Sequence, residues 1–222
     1  HVLSIDICNA FNEMSRSYVL MALPAHLRSP VVLAVLHPAG ELLYLGRNIK
    51  PLRCRSGVVQ GCPLAALLFA FAIIGPATAA LQAMGVPVAS GTVDTAPAHG
   101  LQIRSSQGGR CDQWYADNGY CMAKCLQWLG RYVTELAAAL ESVGLKLGYG
   151  EGKTCLLPSS VLPPDGGIRV IPSVLFLPVL GAPIVTPHTA SRGGLRAASD
   201  WCRGKVAKVQ RRIEALGMLP NP

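Results

Sequence analysis

The sequence predicts an α+β fold in which helices pack on one face of a largely antiparallel sheet. Short β-branched or alternating apolar segments, typical of strands, occur in runs joined by turn residues. Between these runs, longer segments place apolar residues at helical spacing. Half of the 222 residues are hydrophobic, so the chain can bury the core of one large domain.

The first quarter of the chain alternates strands and helices. HVLSIDI, residues 1–7, is rich in β-branched residues and predicts a buried strand that ends near Asp6. The following helix should stop before Pro24, because the residue before a proline avoids helical geometry. The expected segments are a helix over 15–23, a helix over 30–37 opened by Ser29-Pro30, a strand over 41–46, and a loop or strand edge over 53–61.

An apolar segment follows at residues 62–81 and carries no charge. It is long enough to cross a bilayer, which takes ~20 residues. Two prolines and a glycine interrupt it, and only 64–74 is unbroken. We therefore predict a buried core helix over 64–74, with Pro76 restarting a turn or two, and no membrane partner.

The rest of the chain continues the alternation. Apolar residues over 126–143 have helical spacing, and Gly144 stands where a left-handed C-terminal cap belongs. The other expected segments are a surface loop over 85–98, strands over 100–105 and 111–116, short strands near 145–147, 153–157, 168–171 and 174–185, and a basic helix over 195–216.

Residues 114–120 read WYADNGY and by themselves favour a hairpin. Asn-Gly is a strong turn signal because both residues tolerate positive φ, and the flanking aromatics suit strands. Asp117 would then lie at the tip of the hairpin. If its strand neighbours the first one, Asp117 and Asp6 meet at one end of the sheet, where they could hold divalent cations. Each Asp taken alone is more commonly a capping or turn residue.

The charge pattern points weakly to a polyanionic partner, either nucleic acid or an acidic membrane surface. The net charge is +8, and residues 191–222 contain seven basic and two acidic side chains. An ordinary solvated basic face explains that segment nearly as well. The eight cysteines form no C-x-x-C pair, which favours reduced thiols over a zinc site.

Five segments stand in order along residues 1–185: SIDICNAFN (4–12), SGVVQGCPLAALLFAFAI (56–73), YADNGY (115–120), GLKLGYGEGKT (144–154) and VLGAPI (179–184). In this order they resemble motifs A, B, C and D and the primer-grip segment of the reverse transcriptases of non-LTR retrotransposons, of the type that inserts at fixed genomic sites. The resemblance implies the palm of a right-hand polymerase over 1–185. Residues 186–222 would be a basic helical connection or the start of a thumb.

The resemblance implies a two-metal active site. Asp6 and Asp117 would bind two Mg²⁺ ions, or Mn²⁺ in their place, with the backbone carbonyl of Ile7. The ions would activate the primer 3′-hydroxyl and stabilise the charge on the α-phosphate and the leaving pyrophosphate. Asn118 stands where the second Asp of the family's Tyr-x-Asp-Asp box belongs, so it keeps a carbonyl oxygen but loses one negative charge.

Other matched residues would contact the substrates. Phe11 would be a steric gate whose ring excludes a 2′-hydroxyl and so selects deoxynucleotides. Lys153 would lie near the leaving phosphates as a general acid, although an exposed lysine in a Gly-rich turn explains it equally well. The remaining contacts implied are Gln60 and Gly61 with the nucleotide, Leu180 and Gly181 with the primer, and Arg196, Arg203, Lys205 and Lys208 with the nucleic-acid backbone.

We therefore expect an RNA-directed DNA polymerase that works with an RNA template, a DNA primer and dNTPs. The resemblance alone implies a nuclear location, and nothing indicates a protein partner. The family's fingers segment precedes motif A, so we expect this chain to be a fragment that does not extend a primer by itself. Two alternatives stay open. One is a catalytically inactive nucleic-acid-binding remnant, and the other is an RNA-dependent RNA polymerase palm, which the bulky Phe11 disfavours.

Overall fold

A computed structural model describes residues 1–28, 40–43, 51–54, 56–58, 62, 64–86, 93–94, 101–104, 111–115, 117–149, 153–160, 171–179 and 182–217. The strands are β1 Val2–Asp6, β2 Gly40–Leu43, β3 Pro51–Cys54, β4 Val93–Asp94, β5 Leu101–Arg104, β6 Cys111–Tyr115, β7 Asn118–Met122, β8 Cys155–Leu157, β9 Leu177–Val179 and β10 Ala182–Ile184. The helices are α1 Ala10–Glu13, α2 Arg16–Ala22, α3 Ala65–Ala83, α4 Leu126–Glu141, α5 Pro187–Thr189 and α6 Leu195–Gly217. A 3₁₀ turn spans Ala25–Leu27, and a π-helical segment, Ala190–Gly194, joins α5 to α6.

Six strands form one antiparallel sheet in the order β4-β5-β6-β7-β1-β8. Two separate hairpins pair β2 with β3 and β9 with β10. Mixed helices and antiparallel strands confirm the α+β class. The first strand ends at Asp6, as its composition predicts.

The main core lies on one face of the six-stranded sheet, and a smaller buried cluster of Cys155, Leu157 and Leu177 lies on the other. Leu3, Ile5 and Ile7 alternate along β1 and its extension and are almost fully buried. They belong to the same buried cluster as the inward side chains of α3 and α4, which pack against each other. The even-numbered residues of β1 are only partly buried, so the opposite face is the more open one.

Three helices follow the expected boundaries closely. Ser15 caps α2, accepting a hydrogen bond from the Tyr18 N–H. At the end of α4, Gly144 has φ of 81° and the Leu145 N–H donates to the Leu140 carbonyl at 2.9 Å. This is the left-handed cap that the glycine predicts. The last helix, α6, also begins where the sequence places it.

The expectation that the apolar helix breaks near Pro76 is wrong. Instead, α3 runs unbroken from Ala65 to Ala83 with Pro76 inside it. Proline removes one helical hydrogen bond. Burial of both halves offsets that loss, since Ile73 and Ala77 are 1% and 0% exposed. By length and composition alone α3 could cross a membrane, and half of it is buried in this fold.

Three local features differ from the expectations. Strand β4 lies within 85–98, where only a loop is expected. Near 145–147, Leu147 forms a single bridge with Ile7 and not a strand. The helix α1 is unexpected and follows Asn9, whose φ is 48°, a left-handed conformation that asparagine tolerates. The helix expected over 30–37 lies outside the described residues.

Candidate active site

The pairing of β1 with β7 brings the acidic residues of two sequence segments together. These strands are antiparallel neighbours, and Asp6 is the residue opposite Asn118. Asp117 immediately precedes Asn118, so both lie at the end of the sheet where β1 finishes. The condition set by the sequence, that the two strands be neighbours, is met.

The hairpin over 114–120 is confirmed, but its turn is not at Asn-Gly. Tyr115 pairs with Asn118, which leaves residues 116–117 as the connection and puts Asn118 and Gly119 inside β7. The packing of Trp114 explains this register. A Cβ on Gly119 would lie 2.7 Å from the Trp114 ring, so the glycine is needed beneath the buried indole and not for a positive φ.

Alternation along the strands separates the site from the core. Paired residues of adjacent strands share a face of the sheet. Asp6 and Asn118 therefore project from the open face, whereas Ile5 and Gly119 belong to the buried face. The two side chains are each only partly buried. The Asp6 carboxylate and the Asn118 amide therefore lie on the less covered face of the sheet.

Lys153 is the nearest cationic partner of Asp6 among the described residues. Its Nζ lies 3.1 Å from Asp6 Oδ2 and 3.4 Å from Oδ1. The hydrogen bond from Lys153 to Asp6 and the charge of that carboxylate raise the pKa of the Lys153 ammonium, and nearby Cys8 and Asp117 add to the effect. Lys153 thus stays protonated at neutral pH and contacts the Asp6 carboxylate.

Asp6 Oδ2 is shielded from solvent although its residue lies at the sheet edge. It has almost no accessible area and accepts no well-directed hydrogen bond from the described residues. Its contact with Lys153 is therefore an ion pair without hydrogen-bond geometry. Part of the shielding comes from Gly148, where a Cβ would overlap Oδ2. A negatively charged oxygen in this state is suited to a directly bound cation.

A frame of backbone contacts fixes the position of Asp6. The Gly148 N–H donates to the Asp6 carbonyl at 2.8 Å. The fully buried Thr154 hydroxyl lies 3.2 Å from the Asp6 nitrogen, whose N–H it accepts, and 3.4 Å from the Asp6 carbonyl. Sequence reasoning assigned no role to Gly148 or Thr154, although both belong to the segment that resembles motif D.

The backbone of Ile7 faces the acidic turn. Carbonyls of successive strand residues point to opposite sides, and the Asp6 carbonyl points towards Gly148. The Ile7 carbonyl therefore points to the side of β7 and Asp117. On that side, Asn118 Nδ2 donates to Asp117 Oδ1 at 3.2 Å, a bond that does not engage the Asn118 amide oxygen.

Phe11 lies where the segment 4–12 meets the segment 56–73. Its half-buried ring packs against Phe69 of α3, with ring centroids 5.1 Å apart. Residues 56–58 dock on α1, because the Val58 N–H donates to the Phe11 carbonyl at 2.7 Å and the Gly57 N–H to Met14 at 2.8 Å. The predicted nucleotide and primer contacts Gln60, Gly61, Leu180 and Gly181 lie outside the described residues.

The basic residues of α6 form an exposed surface. Arg196, Arg203, Lys205 and Lys208 are all exposed. Two of them have intrahelical contacts, since Arg203 pairs with Asp200 and Lys205 lies 5.1 Å from the centre of the Trp201 ring. The arrangement suits a polyanion equally as well as bulk solvent.

The donor set at the sheet end fits Mg²⁺ or Mn²⁺ better than a soft metal. It offers two carboxylates, an amide oxygen and a backbone carbonyl, and Mg²⁺ is commonly held by one or two carboxylates together with water and substrate phosphates. Within the described ranges, no group of three or more His, Cys, Asp or Glu side chains could hold a metal ion. The shielded Asp6 Oδ2 is the observation that supports a fit.

Comparison with known proteins assigns this chain to no family. No protein-family model matches it, and no curated protein matches it in sequence. What the chain does must therefore be inferred from its motifs and from the geometry at the sheet end.

Proposed function

We propose that this chain is the palm of an RNA-directed DNA polymerase of a non-LTR retrotransposon, with residues 186–222 leading to a thumb. The observation that carries the proposal is the meeting of Asp6 with Asp117 and Asn118 at one end of an antiparallel sheet. Those residues come from two of five segments that resemble reverse-transcriptase motifs in order. Neither the position of Asp6 nor that of Asp117 would support the proposal alone.

The chain's own residues divide the work. Asp6, Asp117 and the Ile7 carbonyl would hold two Mg²⁺ ions, which when bound activate the primer hydroxyl and neutralise phosphate charge. Lys153 would give a proton to the leaving pyrophosphate. Phe11 would exclude a nucleotide 2′-hydroxyl. The exposed cations of α6 would contact the backbone of the RNA–DNA hybrid without reading its sequence.

Asn118 sets the expected strength of the site. With two carboxylates in place of three, the site attracts divalent cations less strongly and stabilises less of the charge that develops in the transition state. We therefore propose a weakened polymerase that acts in the nucleus on the element's own RNA. The Asn118 amide oxygen, which its hydrogen bond to Asp117 leaves unengaged, would serve as a neutral ligand in place of the missing carboxylate.

The test measures incorporation of dNTPs on a primed RNA template with Mg²⁺ and with Mn²⁺. A fingers segment from a related element is placed ahead of the chain, and the native residue is compared with Asn118→Asp. If the native chain extends the primer, Asn118 works as a metal ligand. If only the Asn118→Asp variant extends it, the asparagine is the cause of the lost activity. Asp6→Asn is the matched control and should abolish extension in both backgrounds. Lack of extension by every form, with the hybrid still bound, would support the inactive nucleic-acid-binding remnant.

The same assay, run with ribonucleotides, distinguishes the proposed DNA polymerase from an RNA polymerase. Phe11→Ala should admit ribonucleotides if the ring excludes the 2′-hydroxyl, because only the alanine variant leaves space for that group. Efficient ribonucleotide incorporation by the native chain would instead identify an RNA polymerase.

A further inference from the structure

We propose that Lys153 is a resident cation of the active site. Its ammonium group pairs with the Asp6 carboxylate while no metal is bound and is displaced when a divalent ion binds. Lys153 thereby lowers the affinity of the site for the metal. This inference rests on the proposed function, because it takes the Asp6 end of the sheet to be the metal site. It adds a competition between a side chain and the metal for one oxygen.

The competition follows from the position of the ammonium group. Lys153 Nζ lies 3.1 Å from Asp6 Oδ2, the shielded oxygen that accepts no well-directed hydrogen bond among the described residues. A Mg²⁺ ion on that oxygen would be ~2.1 Å from it. The two cations would then stand within about 5 Å of each other, a separation at which like charges repel strongly. Lys153 would relieve that repulsion by moving away, and we expect a bound divalent ion to displace it.

Lys153 is able to leave without disturbing the fold. Its side chain is 47% exposed, whereas that of Asp6 is 17% exposed. The lysine stem is flexible, and its neighbour Thr154, fully buried and bonded to the Asp6 backbone, holds the main chain in place. Displacement therefore moves a side chain and not the segment that carries it.

Lys146 provides a matched control. It is an exposed lysine of the same segment, and its carbonyl accepts the Cys8 N–H at 2.8 Å. The structure gives its side chain no ion pair with Asp6 within the described residues. Replacing it removes the same unit charge from the same region without removing the contact.

The first experiment titrates Mn²⁺ into the full 222-residue chain and follows free Mn²⁺ by electron paramagnetic resonance. The variants are Lys153→Met, Lys146→Met and Asp6→Asn. Lys153→Met should bind Mn²⁺ about three- to fivefold more tightly than the native chain, the size expected for loss of one exposed ion pair. Lys146→Met should bind as the native chain does, and Asp6→Asn should lose the site.

The outcomes separate this inference from the proposed function. If Asp6-dependent Mn²⁺ binding is present and Lys153→Met leaves it unchanged, the competition is refuted and the metal site stands. If no form shows binding that depends on Asp6, the metal site fails and the competition fails with it. If Lys146→Met gains as much Mn²⁺ affinity as Lys153→Met, the gain comes from the lower positive charge of the region and not from the contact with Asp6. That result would also overturn the competition.

A second measurement follows Lys153 itself. Lysines are acylated with a succinimidyl ester, and modification at each position is quantified by mass spectrometry with and without saturating Mg²⁺. Metal should speed acylation of Lys153 severalfold, to the rate seen in Asp6→Asn, and should leave Lys146 unchanged. Equal rates at Lys153 with and without metal, in a chain that binds metal through Asp6, would refute displacement.

Discussion

Gly57→Ala tests the contact that joins residues 56–58 to the helix carrying Phe11. Gly57 has φ of 71°, a left-handed conformation that favours glycine. A Cβ there would overlap the Phe11 carbonyl and lie 2.6 Å from the Asn12 Cα. These are backbone atoms, so the loop has to move away from α1.

The expected loss of stability has two parts. A left-handed alanine costs about 1–2 kcal/mol. Moving the loop breaks the bonds from the N–H groups of Gly57 and Val58, at about 1 kcal/mol each. The sum is about 3–4 kcal/mol, a large share of the total stability of a domain.

Gly85→Ala is the control, because it isolates the conformational part. Gly85 also has φ of 71°, but a Cβ there would meet nothing within 4 Å. Its replacement should cost only about 1–2 kcal/mol. Urea unfolding followed by tryptophan fluorescence gives the free energy of unfolding of both variants. Equal losses in Gly57→Ala and Gly85→Ala would refute the argument that the loop is docked on α1.

Three further predictions concern stability. Burial raises the pKa of the Cys155 thiol from 9.0 to about 11. Between those pH values the unfolded chain loses this proton and the folded chain keeps it, so stability should fall by about 2 kcal/mol more in the native chain than in Cys155→Ala. Parallel pH profiles of unfolding would contradict this. Gly119→Ala should cost about 1–3 kcal/mol in urea unfolding, because the buried Trp114 ring has to shift. Gly204→Ala, in α6 with open space around it, should instead gain up to about 1 kcal/mol from helix propensity, and a loss there would contradict the described helix.

Local pattern was sufficient to predict the strand that ends at Asp6 and two of the helices. The β-branched run of β1, the capped helix α2 and the amphipathic α4 with Gly144 after it all follow from short-range preferences. Those preferences agree with the tertiary packing at these places. The α+β class then follows from their order.

Where packing and local preference disagree, the sequence misleads. Asn-Gly signals a turn, yet Gly119 is needed beneath Trp114 and the turn lies two residues earlier, at 116–117. Pro76 signals a helix end, yet burial on both sides keeps α3 continuous. In each case the deciding contact is with a partner that local pattern cannot identify.

The candidate site shows the same limit. The ion pair of Asp6 with Lys153 joins residues 147 positions apart, so spacing could not reveal it. The resemblance alone placed both near one site, and the roles it implies remain predictions. Gly148 and Thr154 were missed because their contribution is a close approach and a backbone bond, neither of which leaves a distinctive pattern.

The register between β1 and β7 is independent of the acidic residues that it aligns. The buried Leu3 and Ile5, which pair with Cys121 and Gly119, specify it, and a one-residue slip would turn these buried side chains to the open face. Changes on the open face, such as Asp to Asn at position 118, therefore leave the architecture intact. Codons for these two residues differ by one nucleotide, so a lineage carrying this chain could lose and regain the third carboxylate of the proposed metal site in single steps, without ever passing through an unfolded protein.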